Sequence, residues 1–247
     1  MKLIIRNKKT FSLGTVFAIS FAGVLLLIFS SVFGGKNGLQ FADDSFNRLA
    51  KGSSYFIPKI TKNNEAFMGR MFTVSIKADK ADDKPGDAEK RAANISKVLT
   101  TAGAKVEVNG TAMKIEGDLG KVLASALQDS DAMYKNEGEK IKARYGQDDE
   151  KKMFRQWANA LAPMIKAFQK EKKIEEAKMV SEVMKKAVEP AYNFYQIDGE
   201  KVVDHAGMLS GLLVFYVAYT MWWGYAIFYM FDGIGLTMKK AKVKKEA

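Results

Sequence analysis

Two stretches without a charged side chain, Thr10 to Gly35 and Ala206 to Phe231, constrain this 247-residue chain more than anything else in it. An α-helix rises about 1.5 Å per residue, so about 20 apolar residues cross the roughly 30 Å of bilayer hydrocarbon. Each stretch has 26, enough to span and to tilt or emerge into the headgroups. Both read as transmembrane helices, and no other segment of the chain is comparable.

Lys2, Arg6, Lys8 and Lys9 precede the first stretch, as in a secretory signal. Phe11 to Phe33, however, is almost continuously apolar and ends in Gly34-Gly35, whereas a cleaved signal has a core of about 7 to 15 residues and a small-residue cleavage site. The expectation is an uncleaved signal anchor. Short basic segments beside a span stay cytoplasmic. The C-terminal tail carries Lys239, Lys240, Lys242, Lys244 and Lys245 against Glu246. The layout that follows is a cytoplasmic tail (1–9), span (10–35), membrane-proximal amphipathic connector (36–67), α+β subdomain (68–138), helical subdomain (139–205), span (206–231) and second cytoplasmic tail (232–247). Both termini are expected in the cytoplasm of a bacterial cell and the main domain in the periplasm, held by the inner membrane.

The net charge of +11 comes mostly from the tails. They hold nine of the 39 cations and two of the 28 acids, leaving 30 against 26 and a net +4 between them. No arginine stripe with interleaved aromatics is visible, so nucleic acid is not an expected partner, and the basic tails suit anionic lipid. The chain has no cysteine. That excludes a disulfide framework, thiolate metal ligation and covalently attached haem, so the outer domain must hold by packing, for which about 170 residues suffice.

Phe41 to Ile60 mixes Asp43, Asp44, Arg48 and Lys51 with Phe46, Leu49, Tyr55 and Phe56. This predicts a short amphipathic helix capped by Asp43 or Asp44 and ended by Gly52, before an extended Ile57-Pro58 step. Phe72, Val74 and Ile76 then alternate with polar residues, the period of a half-buried strand. Asp87 is the expected cap of a helix reaching Thr101, with Gly103 as its stop. Strands at 105–108 and 112–116 are expected to join at Asn109-Gly110, which suits a tight hairpin. A helix near Leu119 to Asn136 completes a β-α-β-β-α order, the ferredoxin-like sandwich without a final strand.

Met153, Trp157, Leu161, Met164 and Phe168 recur at helical spacing, and Val180, Met184, Ala187 and Val188 continue past the polar 169–173. A long helical hairpin starting at Asp148 or Asp149 is the expectation, with Pro163 kinking it and Pro190 ending or bending its second arm. The methionines sit among aliphatic residues with no histidine or cysteine cluster, which favours core packing over soft-metal ligation. Asp198-Gly199 is read as a corner before the second span. The fold class is thus an α+β membrane protein with two transmembrane helices flanking an extracytoplasmic domain.

Catalytic equipment is missing. His205 beside Asp204 lacks an activated nucleophile, and Asp79, Asp82, Asp83 and Asp87 lack the ligand order of a calcium-binding EF-hand. No Walker loop, dinucleotide fingerprint or H-E-x-x-H pattern occurs. Neither an enzyme, a cofactor nor a metal site is expected.

The spans carry the candidate functional residues. Gly14, Ala18 and Ala22 repeat every four residues, and Gly207 with Gly211 forms G-x-x-x-G, so both helices offer faces for close packing or oligomerisation. Tyr216, Tyr219, Trp222, Trp223 and Tyr225 extend through the second span beyond an interfacial belt, as candidates for aromatic packing, lipid contact or a quinone pocket. The expected function is a structural scaffold, assembling as a homo-oligomer or as an accessory subunit of a membrane complex. The alternative is a sensor. The layout of tail, span, outer domain and span resembles the input half of bacterial chemoreceptors and membrane kinases, without a matching motif and with too few residues after the second span for their output modules. An oligomeric channel ranks third, because neither span carries a mid-membrane charge.

Overall fold

The structure is a computed structural model that describes residues 5–146 and 149–236. Lys2 and the tail lysines from Lys239 to Lys245, on which the orientation rests, lie outside the described residues, as does Asp148. The protein is a mixed α+β chain containing two helices long and apolar enough to cross a membrane. It divides into two compact units, one made of residues 1–46 and 201–247 and the other of 47–200.

The first unit is built on α1 (Lys8–Phe29), the start of α2 (Gly38–Ser53) and, at the other end of the chain, α10 (Ala206–Gly233). The α1 and α10 helices pack antiparallel: Phe11 lies beside Gly233 at one end and Phe21 stacks on Tyr219 further along. Both helices leave most of their apolar side chains uncovered. Of α1 only Gly14 is buried, and of α10 only Ala226 and Gly233. The α2 helix starts earlier than the acidic pair suggested. Asn37 Oδ1 accepts from the Gln40 N–H at 2.9 Å while Gln40 Oε1 accepts from Asn37 N–H at 3.1 Å, a reciprocal capping box, and Asp43 and Asp44 fall inside the helix.

In the second unit Ile57-Pro58 opens a helix instead of extending: α3 (Ile57–Asn64) carries Pro58 in its first turn, where a missing N–H costs nothing. Strands β1 (Met71–Lys77), β2 (Lys105–Asn109) and β3 (Ala112–Asp118) form an antiparallel sheet in the order β1-β3-β2. The hairpin pairs Asn109 with Ala112, so its two-residue loop is Gly110-Thr111, one position later than expected, with Gly110 supplying the positive φ of +60°. Between β1 and β2 runs α4 (Asp87–Thr101). Its N-cap is Gly86, not Asp87, whose carboxylate instead accepts from the Lys84 N–H.

The remaining helices are α5 (Leu119–Tyr134), α6 (Gly138–Tyr145), α7 (Glu150–Lys170), α8 (Ile174–Val183) and α9 (Glu189–Asn193), with a π-helical turn at 184–188 before α9. Asp149 caps α7, which continues through Pro163, and α7 with α8 forms the expected hairpin. One face of the sheet presents Phe72, Val74, Ile76, Met113 and Ile115 to the helices. The other face carries the Lys105–Glu107 and Lys114–Glu116 ion pairs. Phe72 meets the Phe168 ring edge-on at 5.8 Å, so the stretches 68–138 and 139–200 share one core, with Trp157 fully buried in it beside Met153 and Met164.

Candidate functional site

The paired helices hold most of the residues singled out from the sequence. Gly14 is buried so closely that a Cβ there would lie 2.6 Å from Met230 N, and a Cβ on Gly233 would lie 2.6 Å from that of Phe11. Missing side chains thus let α1 and α10 approach, which is what small residues do in packed apolar helices. Ala18 is half-buried, whereas Ala22 is exposed. Gly207 and Gly211 are also open: a Cβ built on either meets nothing within 4 Å.

The aromatic residues divide in the same way. Phe21 stacks on Tyr219 at 4.1 Å and tilts against Trp223 at 4.7 Å, while Tyr216 and Tyr225 point outward. The Tyr219 hydroxyl and the Trp222 indole N–H are buried without a hydrogen-bond partner. An orphan of this kind costs about 1–3 kcal/mol relative to water. The helix pair therefore brings Gly14, Ala18, Tyr219 and Trp223 together and leaves Ala22, Gly207, Gly211, Tyr216 and Tyr225 on its surface.

A cavity of about 490 Å³ opens where α1 ends, α2 begins and α10 starts. Val24 and Ile28 come from α1, Ala42 and Phe46 from α2, and Met208 and Phe215 from α10. Among its described lining residues Ser45 alone carries a polar side chain, and that hydroxyl donates to the Phe41 carbonyl at 2.8 Å. The periodicity of either span did not reveal this cavity, because it depends on the chain folding back after α1.

Within the 47–200 unit, the first and last residues are tied together by a buried lysine that nothing in the sequence marks. Lys51 Nζ donates to Asn136 Oδ1 at 2.9 Å, to Phe194 O at 3.0 Å and to Ile197 O, and it lies 5.3 Å from the Tyr134 ring centre. Burial pulls its ammonium below the usual lysine range, against the opposing field of Asp198. The Tyr134 hydroxyl donates to the Lys51 carbonyl. Next to it, Glu200 N–H donates to Arg48 O at 3.1 Å, Arg48 pairs with the Glu200 carboxylate at 3.0 Å, and a Cβ on Gly52 would overlap the Glu200 carbonyl. Every donor Lys51 has is used, so the cluster is a clamp and not an open site.

Asp129 forms a second closed cluster. Its carboxylate, 2 % exposed, accepts from Arg144 Nη1 at 2.6 Å, from Trp157 Nε1 at 2.8 Å and from the Tyr145 hydroxyl, which burial and that neighbouring charge push up. Arg144 Nη2 also donates to Ser125 Oγ at 2.7 Å. A signal for this existed: Asp129 continues the stripe Val122, Ala126 and Met133, so a carboxylate was due on a buried helix face. Among the acids of the 79–87 loop, Asp83 is held by Arg91, which keeps its carboxyl at about 2. No three metal-ligating side chains converge among the described residues. His205 lies in a 3₁₀ turn just before α10, beside Asp204. No protein-family model, no curated protein and no solved structure matches this chain.

Proposed function

We propose that this protein is a membrane-anchored scaffold. Its α1 and α10 helices cross a bacterial inner membrane as an antiparallel pair, both termini are cytoplasmic and the 47–200 unit stands in the periplasm. Copies of the chain, or foreign subunits of a complex, associate through the surface of α10 that carries Gly207 and Gly211. The sheet order and the helix between β1 and β2 support reading the α+β part as a ferredoxin-like split β-α-β without its last strand.

One observation carries the reading: two packed helices keep their outward apolar side chains bare, Ile19 being 68 % and Val214 69 % exposed, while G-x-x-x-G on α10 remains open. A continuous bare apolar surface calls for lipid or protein cover, and an open small-residue face accepts a close helix.

The test is the mass and subunit content of the full chain extracted into lipid nanodiscs. The expected particle holds several copies or stoichiometric foreign subunits, and Gly207→Leu with Gly211→Leu breaks it down. A particle of one or two copies alone overturns the scaffold in favour of the sensor reading, in which the clamp at Lys51 relays a signal. A double variant of unchanged mass overturns the role of the α10 face.

A further inference from the structure

The corner that walls the 490 Å³ cavity is held by several independent local devices. Gly34 and Gly35 turn the chain at φ of +63° and +83°, where side chains are strained. Phe33 and Lys36 close the turn with backbone hydrogen bonds of 3.1 and 3.2 Å, and the Asn37–Gln40 box starts α2 at once. Gly38 sits so near the end of α1 that a Cβ would lie 3.0 Å from Ile28. On the same segment Lys36 and Asp44 form an exposed ion pair. An apolar hollow is thus walled by a segment that presents the Lys36–Asp44 pair, with a second acid, Asp43, next to it.

We propose that this cavity holds one acyl chain of a zwitterionic phospholipid from the outer leaflet, with the lipid phosphate toward Lys36 and its amine toward Asp44. The proposal rests on the membrane reading above. The volume falls within the about 300–1,000 Å³ of ligand pockets. A helix about 10 Å across would fit only about one turn into it, so a second copy's span is too bulky, whereas an extended hydrocarbon chain enters readily. With the Ser45 hydroxyl already committed to Phe41, the enclosed part of any occupant must be apolar. A headgroup of both signs matches the Lys36–Asp44 pair, while a purely anionic one would meet Asp44 with like charge.

The experiment uses the full chain in vesicles of phosphatidylethanolamine and phosphatidylglycerol containing a trace of phosphatidylethanolamine with a diazirine in its acyl chain. Carbonate-washed vesicles are first floated on a density gradient. Protein left at the bottom overturns the membrane reading and the cavity's occupant with it. In floated protein, irradiation and peptide mapping should place several-fold more label on 24–28, 38–46 and 208–215 than on the exposed Leu13, Val16 and Ile19. Ala42→Trp and Met208→Trp, filling the cavity from separate walls, should each remove that excess. Label spread evenly over the bare faces of α1 and α10, or an excess that survives both substitutions, overturns the proposal while the membrane reading stands.

Discussion

Asp129, buried in the 47–200 unit, meets Arg144, Tyr145 and Trp157, whereas on α10 the Tyr219 hydroxyl and the Trp222 indole N–H are buried without a hydrogen-bond partner. Lys51 repeats the first pattern with three oxygen acceptors. Asn64 departs from it in part, since its Oδ1 is an orphan while its amide donates to Gly120 O at 2.8 Å. A unit that folds out of water must replace the hydrogen bonds water offered, or lose about 1–3 kcal/mol for each group left bare. Helices that associate in hydrocarbon face a different reference, because the separated helices have no water either. The contrast between the units fits the proposed membrane reading.

The sharpest way to break this comparison is Asp129→Leu, which strands Arg144, Tyr145 and Trp157 together. A loss of about 3–5 kcal/mol is expected. The check is the urea midpoint of the full chain, followed by Trp157 fluorescence in a Trp222→Phe, Trp223→Phe background. A loss below 1 kcal/mol would mean that the cluster is dispensable. Next comes Gly52→Ala, which drives a methyl group into the Glu200 carbonyl and should cost about 1–3 kcal/mol in the same assay. Gly224→Ala, where a Cβ meets nothing within 4 Å, should show no such loss, and equal losses from the two would remove the clamp.

Tyr219→Phe deletes an orphan hydroxyl and keeps the stack on Phe21. The helix pair should be unchanged or gain up to about 1 kcal/mol, read as thermal inactivation of α1–α10 cross-linking between engineered cysteines, which the cysteine-free chain permits. A clear loss would show that the hydroxyl has an acceptor. The smallest effect is that of Asp83→Asn. Arg91 holds the Asp83 carboxyl at about 2 in the folded state, below the ordinary aspartate value. The stabilisation is therefore fully present above about pH 4 and is lost as pH falls through about 2. The gap in melting temperature between wild type and variant should stay constant above pH 4 and close on further acidification. A gap that widens in acid would reverse the sign.

Much of the fold was legible because its signals are local. The alternation of Phe72, Val74 and Ile76 and the three-and-four spacing of Met153, Trp157, Leu161, Met164 and Phe168 repeat within one element, and each came out buried. Where two local signals competed, the reading slipped. Asp43 and Asp44 looked like caps, but Asn37 with Gln40 satisfies two backbone donors at once and starts the helix earlier. Ile57-Pro58 looked extended, but proline suits a first helical turn. In the candidate site, G-x-x-x-G could be read but not its use, because spacing alone does not say whether a partner helix lies on that face.

By itself the sequence determined that two long uncharged stretches bracket a cysteine-free domain, that this domain mixes a small sheet with amphipathic helices, and that no familiar catalytic spacing is present. Charge, hydropathy and period are properties of neighbouring residues, so they survive without a fold. Tertiary structure alone decided that Lys51 binds carbonyls more than 140 residues away, that Gly14 is spent inside the chain while Gly207 and Gly211 are not, and that a turn at Gly34-Gly35 leaves an apolar cavity. Each depends on which distant groups meet, and a buried donor or a missing Cβ acquires its meaning only from the atom placed against it.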